Sequence, residues 1–188
     1  RGARVLVLEH ASEIGGTLHL SAGQMSAAGT RLQAERGIKD SAEDHFQDVM
    51  RISHNTANPE LVRLAVENAA ASFDWMYENG LELHPEHPVL SQTHEPYSSP
   101  RYYWGPEGGR SILRILSKLF VAELAKNTIT LNLQSEVTGL VQGADRKVSG
   151  VVTRGPNGTD KEYAAHNVVL ASGGYVHNAE LFKDLSGI

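Results

Sequence analysis

The sequence predicts an α/β fold, on three observations. Val5-Leu6-Val7-Leu8 is an unbroken apolar run closed by Glu9, as expected of a strand buried on both faces of a parallel sheet. Helical spacing of apolar residues fills the stretch between Asn58 and Gly80 and recurs after Gly108. From Ile129 onward, short apolar runs separated by turn residues read as strands. With 188 residues, 40% of them hydrophobic, the chain can bury at least one core. One dominant α/β domain is expected, with a helical and irregular insertion over about 38–107.

The elements follow in order. Residues 10–30 are rich in Gly, Ser, Ala and Thr and hold no sustained period, which suggests a loop wrapped around a ligand. A helix should start after Asp40-Ser41, with Phe46, Val49, Met50 and Ile52 on its apolar face. The next has Asn58 as N-cap and Pro59 at its first position; Leu61, Leu64, Ala65, Asn68, Ala69, Phe73 and Met76 follow its spacing, and Gly80 ends it. Residues 81–107 form an irregular excursion rich in Pro, His and aromatics. Gly108-Gly109-Arg110-Ser111 leads into a helix with a broad core face of Ile112, Leu113, Ile115, Leu116, Leu119, Phe120 and Leu124. Strands are expected at 129–133, 137–141, 148–153 and 161–164, with Pro156-Asn157-Gly158 as a hairpin turn. A last apolar strand at 167–171 meets Ser172-Gly173-Gly174, and Asn178 caps a final short helix.

Composition narrows the function. A net charge of −5 without a basic run argues against nucleic acid. The absence of cysteine excludes disulfides, thiolate metal sites and a cysteine nucleophile. No apolar stretch reaches the ~20 residues of a membrane span, and no signal sequence opens the chain, so a cytoplasmic location is expected. No Ser, His and Asp spacing marks a hydrolase, and no Lys-containing phosphate loop marks an NTPase.

Four blocks carry a resemblance: Val5-Leu6-Val7-Leu8-Glu9 with Gly15-Gly16-Thr17; Ser21-Ala22-Gly23-Gln24-Met25-Ser26-Ala27-Ala28; Ser135-Glu136-Val137-Thr138-Gly139-Leu140; and Val169-Leu170-Ala171-Ser172-Gly173-Gly174. In this order they resemble the FAD-binding part of the fumarate reductase, succinate dehydrogenase and 3-ketosteroid dehydrogenase flavoproteins. The resemblance implies a Rossmann-like FAD-binding domain with a helical insertion and a β-meander. It also implies that the first strand, the Gly-x-Gly-x-x-Gly turn ahead of Glu9 and the C-terminal part are missing, so that residues 1–188 form a partial domain. The groups that polarise substrate and shuttle protons in this family lie mostly past residue 188, so no catalytic residue is assigned.

Cofactor-binding roles follow for FAD. A carboxylate at the end of a buried strand, Glu9, accepts hydrogen bonds from the adenosine ribose hydroxyls, and His10 stands beside it. Gly15 and Gly16 permit positive φ and close approach of amides to phosphate, and Thr17 adds a hydroxyl. The family commonly has Asn and then Ser or Thr after this pair; here Thr17 is followed by Leu18. Ser21, Ala22, Gly23, Gln24 and Met25 match the segment that passes beside the flavin ring. Gln24 stands where a second Gly is common, and its amide points to flavin, to substrate or to solvent. Val137 matches the position whose main chain meets the adenine edge, with its side chain in the core. Ala171, Ser172 and Gly173 match the crossing near the pyrophosphate and ribityl chain.

The implied reaction is hydride transfer between flavin and an activated C=C or C–C bond of a dicarboxylate, an unsaturated acid or a ketosteroid, with an electron-transfer partner. Two other readings stay open: an inactive fragment or nucleotide-binding module without turnover, and an NAD-binding Rossmann domain, against which the 21–25 block counts. His84, His87 and His94 suggest a metal site, but Pro85 and Pro88 oppose helical convergence of the first two, and no metal is expected. Arg101-Tyr102-Tyr103-Trp104 reads either as a substrate entrance, with Arg101 drawing a carboxylate, or as an anchor pinning the long loop to the core, the larger share falling to the anchor.

Overall fold

The computed structural model describes residues 2–90, 94–175 and 178–187. It is an α/β chain with strands β1 (Val5–Leu8), β2 (Met25–Ser26), β3 (Tyr102–Tyr103), β4 (Ile129–Asn132), β5 (Glu136–Gln142), β6 (Val148–Arg154) and β7 (Asp160–Ala164). The helices are α1 (Arg31–Glu35), α2 (Ala42–Ile52), α3 (Pro59–Glu78), α4 (Gly109–Ala125) and α5 (Ala179–Ser186), with a 3-10 turn at Gly16–His19. β1 pairs with β4. Val5 N–H donates to Thr128 O and Glu9 N–H to Asn132 O, both at 3.0 Å, so the indices rise together and the strands run parallel. The chain forms two compact units, one of Arg1–Val7 and Glu13–Leu131, the other of Leu8–Ser12 and Asn132–Ile188.

The first unit is built around Phe73. Its ring lies 4.0 Å from that of Tyr103, and Ala27, Leu32, Leu81 and Ile115 complete the buried cluster. The helix punctuation behaves as the sequence predicts: Ser41 Oγ accepts from Asp44 N–H, and Asn58 Oδ1 from Glu60 and Leu61 N–H. The faces differ. Leu61 and Leu64 are more than 60% exposed, and only Val66 and Phe73 of α3 are fully buried. In α2 the buried side chains are His45 and Asp48, Asp48 because it meets the buried Arg101 and His45 with its Nε2 3.4 Å from Ser26 Oγ; the expected Phe46, Val49, Met50 and Ile52 are only half-buried. α1 was not expected: Thr30 Oγ1 accepts from Gln33 N–H while Gln33 Oε1 accepts from Thr30 N–H, a complete capping box on a five-residue helix.

The second unit holds the antiparallel meander β5-β6-β7, as expected from the turn residues. The central strand supplies its buried positions, Gly150, Val151 and Thr153. Two strand expectations are corrected. Residues 167–171 pair with no strand among the described residues, and Val169 is 88% and Leu170 69% exposed. A strand exists only through its ladder, and apolar composition alone does not make one. β1 is likewise not buried on both faces: among the described residues it has one ladder partner, β4, and Val5 and Leu6 are exposed. No helix among the described residues is long and apolar enough to cross a membrane.

Candidate functional site

In the first unit, Gly15, Gly16 and Thr17 enter the 3-10 turn. Gly15 and Gly16 have φ of 126° and 48°, and no side chain caps the turn. The leading N–H groups of such a turn have no acceptor within it. Nothing lies within 4 Å of where a Cβ on Gly16 would stand, so this backbone is open to an approaching group. A Cβ on Gly15 would overlap the ring of His19, whose Nε2 lies 3.0 Å from Ile14 O.

Ser21 to Met25 then crosses the start of α4. Gly109 N–H donates to Ser21 O at 2.8 Å, and Ser21 Oγ accepts from Gly23 N–H at 2.9 Å. Gly23, with φ of 64°, is buried so tightly that a Cβ would overlap the backbone of Gly108 and Gly109. Gly108 and Gly109 therefore belong to this segment's packing, a role the sequence reading assigned only to helix entry. Ser21, Ala22 and Gln24 are exposed, while Met25 pairs with Tyr103 and reaches the core.

Arg101 is the anchor of this strand pair. It is fully buried; Nε and Nη2 donate to Asp40 at 2.9 and 2.6 Å, and Nη1 to Asp48 at 2.6 Å. Asp48 also accepts from Ser98 N–H and Oγ and from Arg51. Burial alone would push the Asp48 carboxyl up, but these hydrogen bonds and the Arg101 charge hold it at about 2. The reading of Arg101 as a collector of substrate carboxylate is thus corrected: its donors are already spent on two internal carboxylates. Burial, with the Arg101 charge beside it, lowers His45 to about 4, and burial raises Tyr103 to about 12. Of the three histidines weighed for a metal, His84 and His87 stand 5.5 Å apart ring to ring, and no group of three or more His, Cys, Asp or Glu among the described residues could hold an ion.

In the second unit, Glu9 ends β1 with its main chain fixed on both sides, donating to Asn132 O and accepting from Ser135 N–H. Its Oε1 accepts from Ala11 N–H at 2.8 Å, and among the described residues Oε2 accepts from none. Beside it an open cavity of about 350 Å³ is lined by His10, Gln134, Glu136, Arg154 and the turn residues Gly155, Pro156 and Gly158. Gln134 N–H donates to Ala11 O, which ties this wall to the strand end. Val137 follows directly in β5, opposite Thr153, with a bulge between Val137 and Gly139. Its side chain is 42% exposed and not in the core, a correction that follows from its place on an outer strand of a three-stranded sheet. Ala171, Ser172 and Gly173 are exposed, and Gly173 has φ of 78° with open space beside it.

Each unit carries groups of a kind that a dinucleotide uses: in the first, the Gly16 backbone open to an approaching group and the 21–25 segment packed on the start of α4; in the second, the strand-end carboxylate of Glu9, whose Oε2 accepts from no group among the described residues. In α/β dinucleotide-binding proteins a carboxylate at such a strand end accepts from the ribose hydroxyls. The chain belongs to the FAD binding domain family, whose model matches residues 1–187, and FAD is the cofactor. It is 31% identical over 185 residues to the NADH:fumarate oxidoreductase of Klebsiella pneumoniae, covering 96% of this chain and 19% of that protein. The open conformation of a flavocytochrome c3 fumarate reductase matches with a TM-score of 0.80 at 30% identity, over 97% of this chain and 31% of that one. The 3-ketosteroid-Δ4-(5α)-dehydrogenase from Rhodococcus jostii RHA1 shares the fold, with a TM-score of 0.75 at 24% identity over 96% of this chain and 43% of that chain.

Proposed function

We propose that residues 1–188 are part of the FAD-binding domain of an FAD-dependent oxidoreductase acting on a small unsaturated acid of the fumarate type. The observation that carries the cofactor site is the Glu9 carboxylate, fixed at a strand end with one oxygen unpartnered among the described residues. In this reading Glu9 accepts from the ribose hydroxyls and His10 flanks the adenosine. The amides of Gly15, Gly16 and Thr17 donate to phosphate. Ser21, Ala22, Gly23, Gln24 and Met25 lie along the flavin ring; Val137 meets the adenine edge through its main chain, and Ala171, Ser172 and Gly173 approach the ribityl side. FAD, when bound, supplies hydride exchange with a C=C bond. A redox partner delivers or removes electrons.

The substrate class is supported by the two fumarate-acting proteins named above, each at least 30% identical to this chain. A ketosteroid substrate rests on the fold likeness alone. The full-length protein should purify yellow, and its flavin, once chemically reduced, should be reoxidised by fumarate added without oxygen. A colourless protein contradicts the cofactor site; reduced flavin that only a 3-ketosteroid reoxidises contradicts the substrate.

A further inference from the structure

Gln24 and Tyr102 share one face of the β2-β3 pair. The register sets Ser26 opposite Tyr102, so Gln24, two residues from Ser26, projects on the side of Tyr102, while Met25 and Tyr103 turn to the core. Tyr102 O–H donates to Gln24 Oε1 at 3.3 Å.

Tyr102, half-buried, is held through its strand and its ring neighbours. Its strand is hydrogen-bonded to β2 on one side and exchanges two 3.1 Å bonds with Val89 on the other. Its neighbours Arg101 and Tyr103 are fully buried on the opposite face. Its ring packs edge-on to those of Trp104, His94 and Tyr97, at 5.8, 6.1 and 6.2 Å between centroids. The backbone of Gln24 is fixed as firmly, because Gly23 before it is wedged against Gly108 and Gly109. A carboxamide has one acceptor oxygen and two N–H donors. With the oxygen engaged by Tyr102, the donors turn away from it, and among the described residues nothing accepts from them.

We propose that Gln24, oriented by Tyr102, is a side-chain hydrogen-bond donor to the flavin ring. This rests on the cofactor reading above, which runs residues 21–25 along that ring. The ring's nitrogen and carbonyl acceptors gain electron density on reduction, so a fixed neutral donor favours the reduced form. Gln24 touches the cofactor; Tyr102 acts through it as a positioning residue.

The test is a spectroscopic redox titration of the full-length FAD-loaded protein and its Gln24→Leu, Tyr102→Phe and double variants, with flavin content measured in each. Gln24→Leu should lower the reduced-to-oxidised ratio at fixed ambient potential about tenfold, about 30 mV for a two-electron couple. Tyr102→Phe should shift it the same way by less, and the double variant should match Gln24→Leu, because the tyrosine works only through the amide. Bound flavin with an unchanged ratio in Gln24→Leu overturns this inference and leaves the cofactor reading intact, even if substrate KM changes. A shift in Gln24→Leu with none in Tyr102→Phe, or additive shifts, overturns the positioning role. Wild-type protein that carries no flavin overturns both readings.

Discussion

Arg101 has no exposed surface and meets two carboxylates that are themselves buried. Removing the guanidinium leaves Asp40 and Asp48 facing each other in a poorly solvated interior, so Arg101→Met should cost about 3–5 kcal/mol. Arg101→Lys keeps the charge but loses the planar fork that spans both partners, and should recover only part of that loss. Urea unfolding of the full-length protein measures both, and an unchanged midpoint in Arg101→Met would count against the clamp. His45 gives a pH test. An unfolded histidine takes its proton near pH 6.5, whereas burial holds the folded ring to about 4. The unfolded state therefore binds more protons in that window, and stability falls as pH drops from about 6.5 toward 4. Tm against pH should show a shallower acid slope in His45→Gln; the slope left over includes His87, which burial lowers in the same direction. Parallel curves would remove His45 as a contributor. At this scale the sequence is legible where chemistry is local, as in the positive φ expected and found at Gly15 and Gly16. It was silent about Arg101 with Asp40 and Asp48, because their pairing spans 61 and 53 residues.

Among the elements, helix ends were easier to read than helix faces. Ser41, Asn58 and Asn178 each cap the helix expected of them, since a cap is a contact between neighbours in sequence. Asn58→Ala should cost about 1 kcal/mol in the same unfolding measurement. Faces depend on what packs there: α2 turns His45 and Asp48 inward, and α3 leaves Leu61 and Leu64 outside. The two-residue strands β2 and β3 carry no period to detect, and the 167–171 run carries strand composition without a partner. The crossing of residues 21–25 over α4 separates two glycines that look alike in sequence. Gly16→Ala meets open space and should cost only the positive-φ penalty of about 1–2 kcal/mol. Gly23→Ala adds an overlap with the backbone of Gly108 and Gly109, and should both destabilise more and loosen FAD. Equal unfolding midpoints for the two variants would deny the crossing its tight packing.

Across the whole molecule, the order of motifs told more than any one of them. A strand-end acid, a glycine pair, a small-residue block and a meander each have ordinary structural explanations, and together they pointed to the FAD binding domain family that matches residues 1–187. The chain's division into two compact units had no linear signature, because β1 and β4 each pass from one unit to the other within a single strand. On the proposed reading Glu9, whose Oε2 accepts from no group among the described residues, holds the adenosine ribose of FAD. The most direct measurement is FAD affinity, by fluorescence titration of the deflavinated full-length protein, for wild type and Glu9→Ala. Losing hydrogen bonds to a charged group, worth about 1.5–3 kcal/mol each, should weaken binding at least tenfold. Its visible spectrum at saturation should stay that of wild type. Equal affinity in the two proteins would contradict the assignment of Glu9.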